Sequence, residues 1–279
     1  GNATIDLQGL PEAGSTQEPD AVAGQLRRMQ MEKQDLGFKT YLEKLAHRGG
    51  IVEEMIQADE VRSPSVQMRV TPLGELQILS THDQLLGGRS GQSYLGARFP
   101  ADTAYAPAIS REAEKIGKRL AKEGVIGRFA VDFLVVRSQG KEWEPYAIEI
   151  NLRKGGTTHP FLTLQFLTDG SYDPQSGKFV SPGGVQKYLV ASDHVKSPTY
   201  KALTVDDLFD LSVRRKLHFD QSRQIGVVFH MMSALPEHGR TGLTAIANSH
   251  QDAYALYERA IAALNEEAEM ALKDPGLPG

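Results

Sequence analysis

The stretch Val125 to Phe161, VIGRFAVDFLVVRSQGKEWEPYAIEINLRKGGTTHPF, decides how the rest of the chain is read. Two runs rich in β-branched and aromatic residues, FAVDFLVV and YAIEINL, flank a polar segment containing Gly140. That pattern predicts a β-hairpin. A hairpin closing symmetrically between Gly140 and Lys141 sets Val131 against Ile150, Phe133 against Ile148 and Val135 against Tyr146, giving one apolar side. Side chains alternate along a strand, so the other side carries Asp132 directly opposite Glu149, with Asn151 two residues on. Like charges facing each other about 5 Å apart across a ladder are destabilising, so a positive charge is expected between them. Two carboxylates and an amide oxygen, with no His or Cys among them, make a hard all-oxygen site of the kind that holds Mg²⁺ or Mn²⁺. The plainer alternative is a solvated hairpin face, with Glu149 neutralised by Arg153 or Lys154. The loop Gly155, Gly156, Thr157, Thr158, His159, Pro160 favours a site, because small residues let backbone and hydroxyls approach a ligand closely. Arg153 continues the alternation and can pair with a phosphate oxygen.

Asp132 in an apolar strand, followed after a hairpin by EIN and Arg153, resembles the metal-binding end of the ATP-grasp ligases. The longer string EINLRKGGTTHPF, with STHDQLLGG and GQSYLGARFPAD upstream, is similar to the peptide-ligase branch of that family, of the pheganomycin type. These enzymes join an amino-acid or peptide carboxylate to an amine. The resemblance runs from residue 1 to about residue 264 and implies the C-terminal part of the catalytic fold. Residues 1–52 would then be a partial lid subdomain, and residues 53–279 the body with the metal and nucleotide site. The resemblance also implies ATP and Mg²⁺ (or Mn²⁺) as cofactors, Glu53, Glu54 and Ile56 as adenine contacts, and Glu60 as the ribose contact. Read without it, IVEEMI (51–56) is a short strand with Glu53 and Glu54 as edge charges on opposite faces. The chain opens on Gly1 instead of Met, which predicts a processed, truncated or excised chain. In the family an ATP-contacting lysine and a glycine-rich phosphate loop would lie upstream of residue 1.

With 279 residues, 40% hydrophobic and 24% charged, the chain can bury one large core or two smaller ones. A net charge of −4 without a basic block gives no sign of a nucleic-acid partner. The absence of cysteine excludes disulfides, thiolate chemistry and Cys-based zinc sites. No run approaches the roughly eighteen apolar residues of a membrane helix, and no signal peptide is visible. The expectation is a cytoplasmic protein acting on small amino-acid or peptide substrates, without nucleic acid or membrane, and capable of forming a homodimer.

Elsewhere the pattern predicts a mobile loop over 11–26, a helix over 38–47 stopped by Gly49-Gly50, and a hairpin of SVQMRV (65–70) with GELQILS (74–80). Arg69 points away from the Val66/Met68/Val70 side, where it either meets phosphate or is an exposed strand charge. His82 and Asp83, adjacent in extended chain, point apart, so His82 reads as a satisfied polar residue and not half of a dyad. Arg89 and Arg98 are the cations best suited to hold a substrate carboxylate. A helix is predicted from Ser110 to Glu123, stopped by Gly124, and Arg128 shares a strand face with Asp132. FLTLQFLTDG reads equally as helix or strand, residues 172–184 as a hairpin, and VQKYLVAS as a strand. Thr204 and Asp207 form a capping-box start to a helix through about Lys216. GVVFHMMS (226–233) and GLTAIAN (242–248) read as strands, His230 as a histidine at the core's edge. Ser249 and Asp252 cap a helix to about Leu272, followed by a disordered DPGLPG tail. Strands and helices in no regular βαβ alternation predict an α+β fold with an antiparallel sheet.

The function these features point to is ATP-dependent carboxylate–amine ligation through an acyl phosphate, with Arg153 and Arg69 as catalytic cations. The carboxylate substrate would be held by Arg98 and the Gly155–His159 loop. Two rivals stand beside it: a kinase sharing the nucleotide site, and a non-catalytic nucleotide-binding or interaction module.

Overall fold

The computed structural model describes residues 3–32, 36–88, 91 and 93–273. The sequence reading of Arg89 and of the DPGLPG tail falls outside the described residues. The chain divides into two units, residues 1–56 with 86–94, and residues 57–85 with 95–279.

The first unit contains β1 (Ala3–Thr4) paired with β2 (Gln30–Met31), α1 (Glu18–Arg27) and α2 (Phe38–Arg48). Helix α2 ends, as its sequence predicts, where Gly49 takes a φ of 73° and donates to the Leu45 carbonyl. Helix α1 replaces the expected loop over 11–26 from residue 18 onward, while residues 11–17 are turns and irregular chain. Pro at the first turn and the acids Glu18 and Asp20 there suit a helix start, because proline's missing donor costs nothing at that position and the acids complement the helix dipole. The expected strand at 51–56 is irregular chain. Ile51, Val52 and Met55 are 79, 87 and 58% exposed, so β-prone residues without a pairing neighbour form no strand.

The second unit is built on a nine-stranded sheet. Its strands are β3 (Glu60–Arg62), β4 (Pro64–Val70), β5 (Leu76–Gly87), β6 (Ser93–Phe99), β7 (Gly127–Arg137), β8 (Glu144–Asn151), β11 (Tyr188–Lys196), β12 (Gly226–His230) and β13 (Arg240–Ala247), β5 and β6 reaching into the first unit at one end. The order is β12-β13-β11-β6-β5-β4-β7, with β3 extending β4's row on one edge of β7 and β8 on the other. A small hairpin, β9 (Ser171–Asp173) with β10 (Lys178–Val180), stands apart. The pairings of β3, β4, β7, β8, β11, β12 and β13 are antiparallel, and with the packed helices this is the expected α+β architecture.

Two helices cover one side of the sheet. Helix α3 (Ala106–Lys122) lays Ile109 and Ala113 on Val66, Met68, Val131 and Phe133. Helix α7 (His250–Lys273) lays Leu256, Ala260 and Leu264 on Val227, Leu243 and Ala245. Helix α3 begins at Ala106, four residues before the expected start at Ser110, because Pro107 fits the first turn. The opposite side is covered by α4 (Thr158–Thr168), whose Phe161 and Leu164 pack with Phe99, Phe179, Leu189 and Ile246. That contact settles FLTLQFLT as helix. The run GVVFHMMS splits: the strand stops at His230, and α6 (Ala234–His238) precedes β13.

Helix α5 (Val205–Arg214) has the predicted capping box. The Thr204 hydroxyl accepts from the Asp207 amide, and the Asp207 carboxylate accepts from the Thr204 amide. Thr204→Ala is expected to cost about 1 kcal/mol in urea unfolding, with no change in the denaturant slope.

Candidate active site

The site grows from the β7–β8 ladder. Asp132 stands opposite Glu149, Val131 opposite Ile150, and Ala130 opposite Asn151, as the symmetric hairpin predicts. Beyond Asp132 the register slips by one, so Phe133 faces Ala147 and Val135 faces Pro145. The expected pairs Phe133–Ile148 and Val135–Tyr146 are therefore absent. The irregularity falls beside the two acids, where bulges commonly re-aim side chains. Strand β8 is an edge: Tyr146, Ile148 and Ile150 are 37, 40 and 47% exposed, while Val131, Phe133 and Val135 are buried. Only the β7 half of the apolar side enters the core.

On the polar side a row crosses four strands: Glu149, Asp132, Ser65 on β4 and His82 on β5. The Asn151 amide donates to Asp132 Oδ2 at 3.0 Å and to Glu149 Oε2 at 3.1 Å. It thus lies against both acids, and turned over it presents its oxygen between them. Ser65 and Gln84 hydrogen-bond the Asp132 carboxylate. These two partners escaped the sequence reading, because the pairing of β4 with β7, and of β5 with β4, cannot be read from β7 alone. The Asp132 carboxyl is pushed above the usual range, first by burial and then by the Glu149 charge, against the Ser65 and Gln84 hydrogen bonds. The three side chains fit a divalent cation: all donors are oxygen, the acids face each other, and a positive charge is what would offset their repulsion. Among the described residues no cluster of three or more His, Asp or Glu offers a rival metal site.

A group whose folded pKa is raised stabilises only while protonated, and that contribution is lost as pH rises through the folded value. Asp132→Asn is therefore expected to raise the melting temperature of the metal-free protein at pH 7. The gain should shrink as pH falls into the range where Asp132 is protonated, and calorimetry across that range checks it.

Farther along the same side, Arg69 and Arg128 are direct cross-strand partners. Arg69 points away from the Val66/Met68/Val70 core as predicted, and its guanidinium is held by Gln77 Oε1 at 3.1 and 2.5 Å. Arg128 is pulled below its ordinary pKa by burial and then by Arg69. Two adjacent cations make an anion-seeking patch, four residues or about 13 Å of strand rise from Asp132.

The strand alternation does not reach Arg153. Strand β8 ends at Asn151, the Arg153 amide turns back to the Asn151 carbonyl at 2.7 Å, and the guanidinium donates to the Lys154 carbonyl at 3.2 Å. Gly155 and Gly156 lead into α4. Thr157 and Thr158 are buried, the Thr158 hydroxyl accepting from the Gly155 amide at 3.1 Å. His159 is exposed, its ring 4.6 Å from that of His230. Burial, and then His159, holds the half-buried His230 down to about 4, and its position matches the sequence reading of a histidine at the core's edge. His82 does not match its sequence reading: it is fully buried among Phe99 and Phe161, its Nε2 meets Ser80 Oγ at 2.9 Å, and its Nδ1 has no hydrogen-bond partner among the described residues. Burial holds it down to about 3.

Glu60 pairs across the ladder with Arg137, which gives Oε1 two hydrogen bonds of 2.9 and 2.6 Å and lies 4.5 Å from the Trp143 ring. Among the described residues its Oε2 meets Arg62, at 3.5 Å. Glu53 and Glu54 are exposed and Ile56 is partly buried, in the irregular end of the first unit. Arg98 is not brought to the Asp132 side. It pairs with Asp83 at 3.3 Å on the side of the sheet that α3 and α7 cover.

Residues 16–175, more than half of the chain, match the profile of IQCH-like ATP-grasp domains, and residues 207–260 match that of the PGM1 C-terminal domain. An L-propargylglycine–L-glutamate ligase of Streptantibioticus cattleyicolor is 31% identical over 229 residues, which cover 82% of this chain and 45% of the ligase. IQ motif-containing protein H of Danio rerio is 18% identical over 232 residues, 81% of this chain and 22% of that protein. The chain therefore spans less than half the length of these curated relatives. Among solved structures, N5-carboxyaminoimidazole ribonucleotide synthetase from Thermus thermophilus shares the fold, with a TM-score of 0.50 and 16% identity over 89% of this chain and 65% of that one.

Proposed function

The chain belongs to the IQCH-like ATP-grasp family, and from that premise we propose that it carries the metal and nucleotide site of an ATP-dependent carboxylate–amine ligase working through an acyl phosphate. The observation that supports this most is the facing of Asp132 and Glu149 with Asn151 lying against both. The resemblance to a ligase by name points the same way.

Asp132, Glu149 and Asn151 would hold Mg²⁺ or Mn²⁺, which when bound would offset the negative charge of the nucleotide phosphates. Ser65 and Gln84 fix the Asp132 carboxylate from the side away from Glu149. Arg69 and Arg128 supply fixed positive charge for the transferring phosphoryl group or the substrate carboxylate. Arg153, at the strand end and exposed, needs only to release a backbone carbonyl to reach a phosphate. The substrate carboxylate attacks the γ-phosphorus and ADP leaves. The amine then attacks the acyl carbon, phosphate leaves with the C–O electron pair, and the amine's proton passes to water or to His159. Positioning and charge carry both steps without a protein nucleophile. Gly155 and Gly156 give the substrate backbone room beside the site. On this reading Glu53, Glu54 and Ile56 line the adenine, Glu60 offers its Oε2 to the ribose, and residues 1–52 belong to a lid.

The test is incubation with ATP, Mg²⁺ and paired amino acids, followed by mass spectrometry and phosphate assay. An amide formed with equimolar ADP and phosphate is expected. A phosphorylated product without amide would instead identify a kinase.

A further inference from the structure

A cavity of about 260 Å³ lies on the side of the sheet away from Asp132. Its walls come from five places: Asp83 on β5, Arg98 on β6, Asp102 before α3, Lys178 on β10, and His250 at the first turn of α7. Asp83 accepts a 2.6 Å hydrogen bond from Tyr105, which packs in the α3 cluster with Val66 and Val131. Val131 and Asp132 are neighbours in a strand and point to opposite faces. The cavity is thus separated from the candidate metal site by the thickness of the sheet.

Its charges are unevenly satisfied. Asp83 is spent on Tyr105, Arg98 and the Asp102 amide. Asp102 and Lys178 are exposed and opposite in charge, and among the described residues neither enters an ion pair. Arg98 Nε and His250 Nδ1 are both buried without a hydrogen-bond partner among the described residues. Buried polar groups left so are costly, and a ligand that reaches them recovers that cost. With Asp83 offset by Arg98, the remaining pair, Asp102 and Lys178, sums to zero. A phosphate would bring uncompensated negative charge, whereas a ligand carrying one charge of each sign would not. The volume is below the roughly 300 Å³ at which pockets for drug-sized ligands begin, which suits a metabolite of amino-acid size.

We propose that this cavity binds a free α-amino acid as a zwitterion, its carboxylate held by Lys178 and Arg98 at the start of α7 and its ammonium by Asp102. The start of a 24-residue helix adds partial positive charge at the carboxylate end. This site is separate from any substrate position beside Asp132 and does not depend on the ligase reading. Strand β5 connects the two, since Gln84, next to Asp83, bonds Asp132.

Calorimetric titration of the nucleotide-free chain with glycine and L-alanine tests it, with sodium acetate, ethylamine and inorganic phosphate as single-charge probes. Saturable binding of the amino acids is expected, weakened about tenfold or more in Lys178→Met and in Asp102→Asn and kept in Glu149→Gln. Acetate and ethylamine should each bind more weakly than glycine. Both cavity residues are exposed, so their variants should melt with the wild type. The proposal is overturned if no amino acid binds, if phosphate or acetate binds as tightly as glycine, or if Glu149→Gln and not the cavity variants removes binding.

Discussion

Glu149→Ala is expected to abolish the Mg²⁺-dependent thermal stabilisation of this protein by a non-hydrolysable ATP analogue. A ligand at a hundredfold its dissociation constant stabilises the native state by about 2.7 kcal/mol, and that whole increment should disappear. One carboxylate would be left where two face each other, and a single acid with an amide is a poor hold on a cation that keeps most of its water. The loss cannot be ascribed to unfolding, because Glu149 lies on an exposed edge strand and its removal relieves the repulsion on Asp132. The metal-free variant should therefore melt no lower than wild type. Equal Mg²⁺-dependent shifts in the two proteins would move the nucleotide site elsewhere.

Phe161→Ala should give the largest loss of stability, about 3–5 kcal/mol in denaturant unfolding. Phe161 is 3% exposed and packs edge-on against Phe99 at 5.5 Å and Phe179 at 6.2 Å, with the buried ring of His82 at 6.4 Å. It is also what seats α4 on the sheet, and α4 begins inside the Gly155–His159 segment. The same substitution should therefore loosen that loop, read as faster amide hydrogen exchange at Gly155 to His159. A cost below about 1 kcal/mol, the range of surface substitutions, would mean that α4 is held by other contacts.

The part of the site that was legible in the sequence is the part governed by local alternation. Asp132 and Glu149 face each other because two short runs and one turn fix a hairpin register for a few residues. That reach is limited: one slip past Asp132 displaces every later pair, and nothing in the local pattern marks it. Arg153 shows the same limit at the other end, where the strand stops two residues earlier than alternation alone implies. Ser65 and Gln84 reach Asp132, and Arg69 reaches Arg128, through strands paired at long range, so only the assembled sheet brings them together. Arg98 was assigned by chemistry without topology, and the β6–β11 register turns it to the far side of the sheet. Helix α1 was hidden because Pro, Gly and acidic residues mark loops and helix starts alike. The fold class was easier, since hairpin signals without βαβ alternation leave little besides an antiparallel sheet with packed helices.

The most direct test of the central claim uses an amino-acid substrate labelled with ¹⁸O in its carboxylate, incubated with ATP, Mg²⁺ and an amine acceptor. Attack of that carboxylate on the γ-phosphorus, followed by displacement, transfers one labelled oxygen to the released phosphate. The account predicts that label in phosphate in step with amide formed, and its loss in Glu149→Ala. Phosphate released without label from a chain that binds Mg²⁺–ATP would contradict it, because the phosphoryl group would then have gone to water.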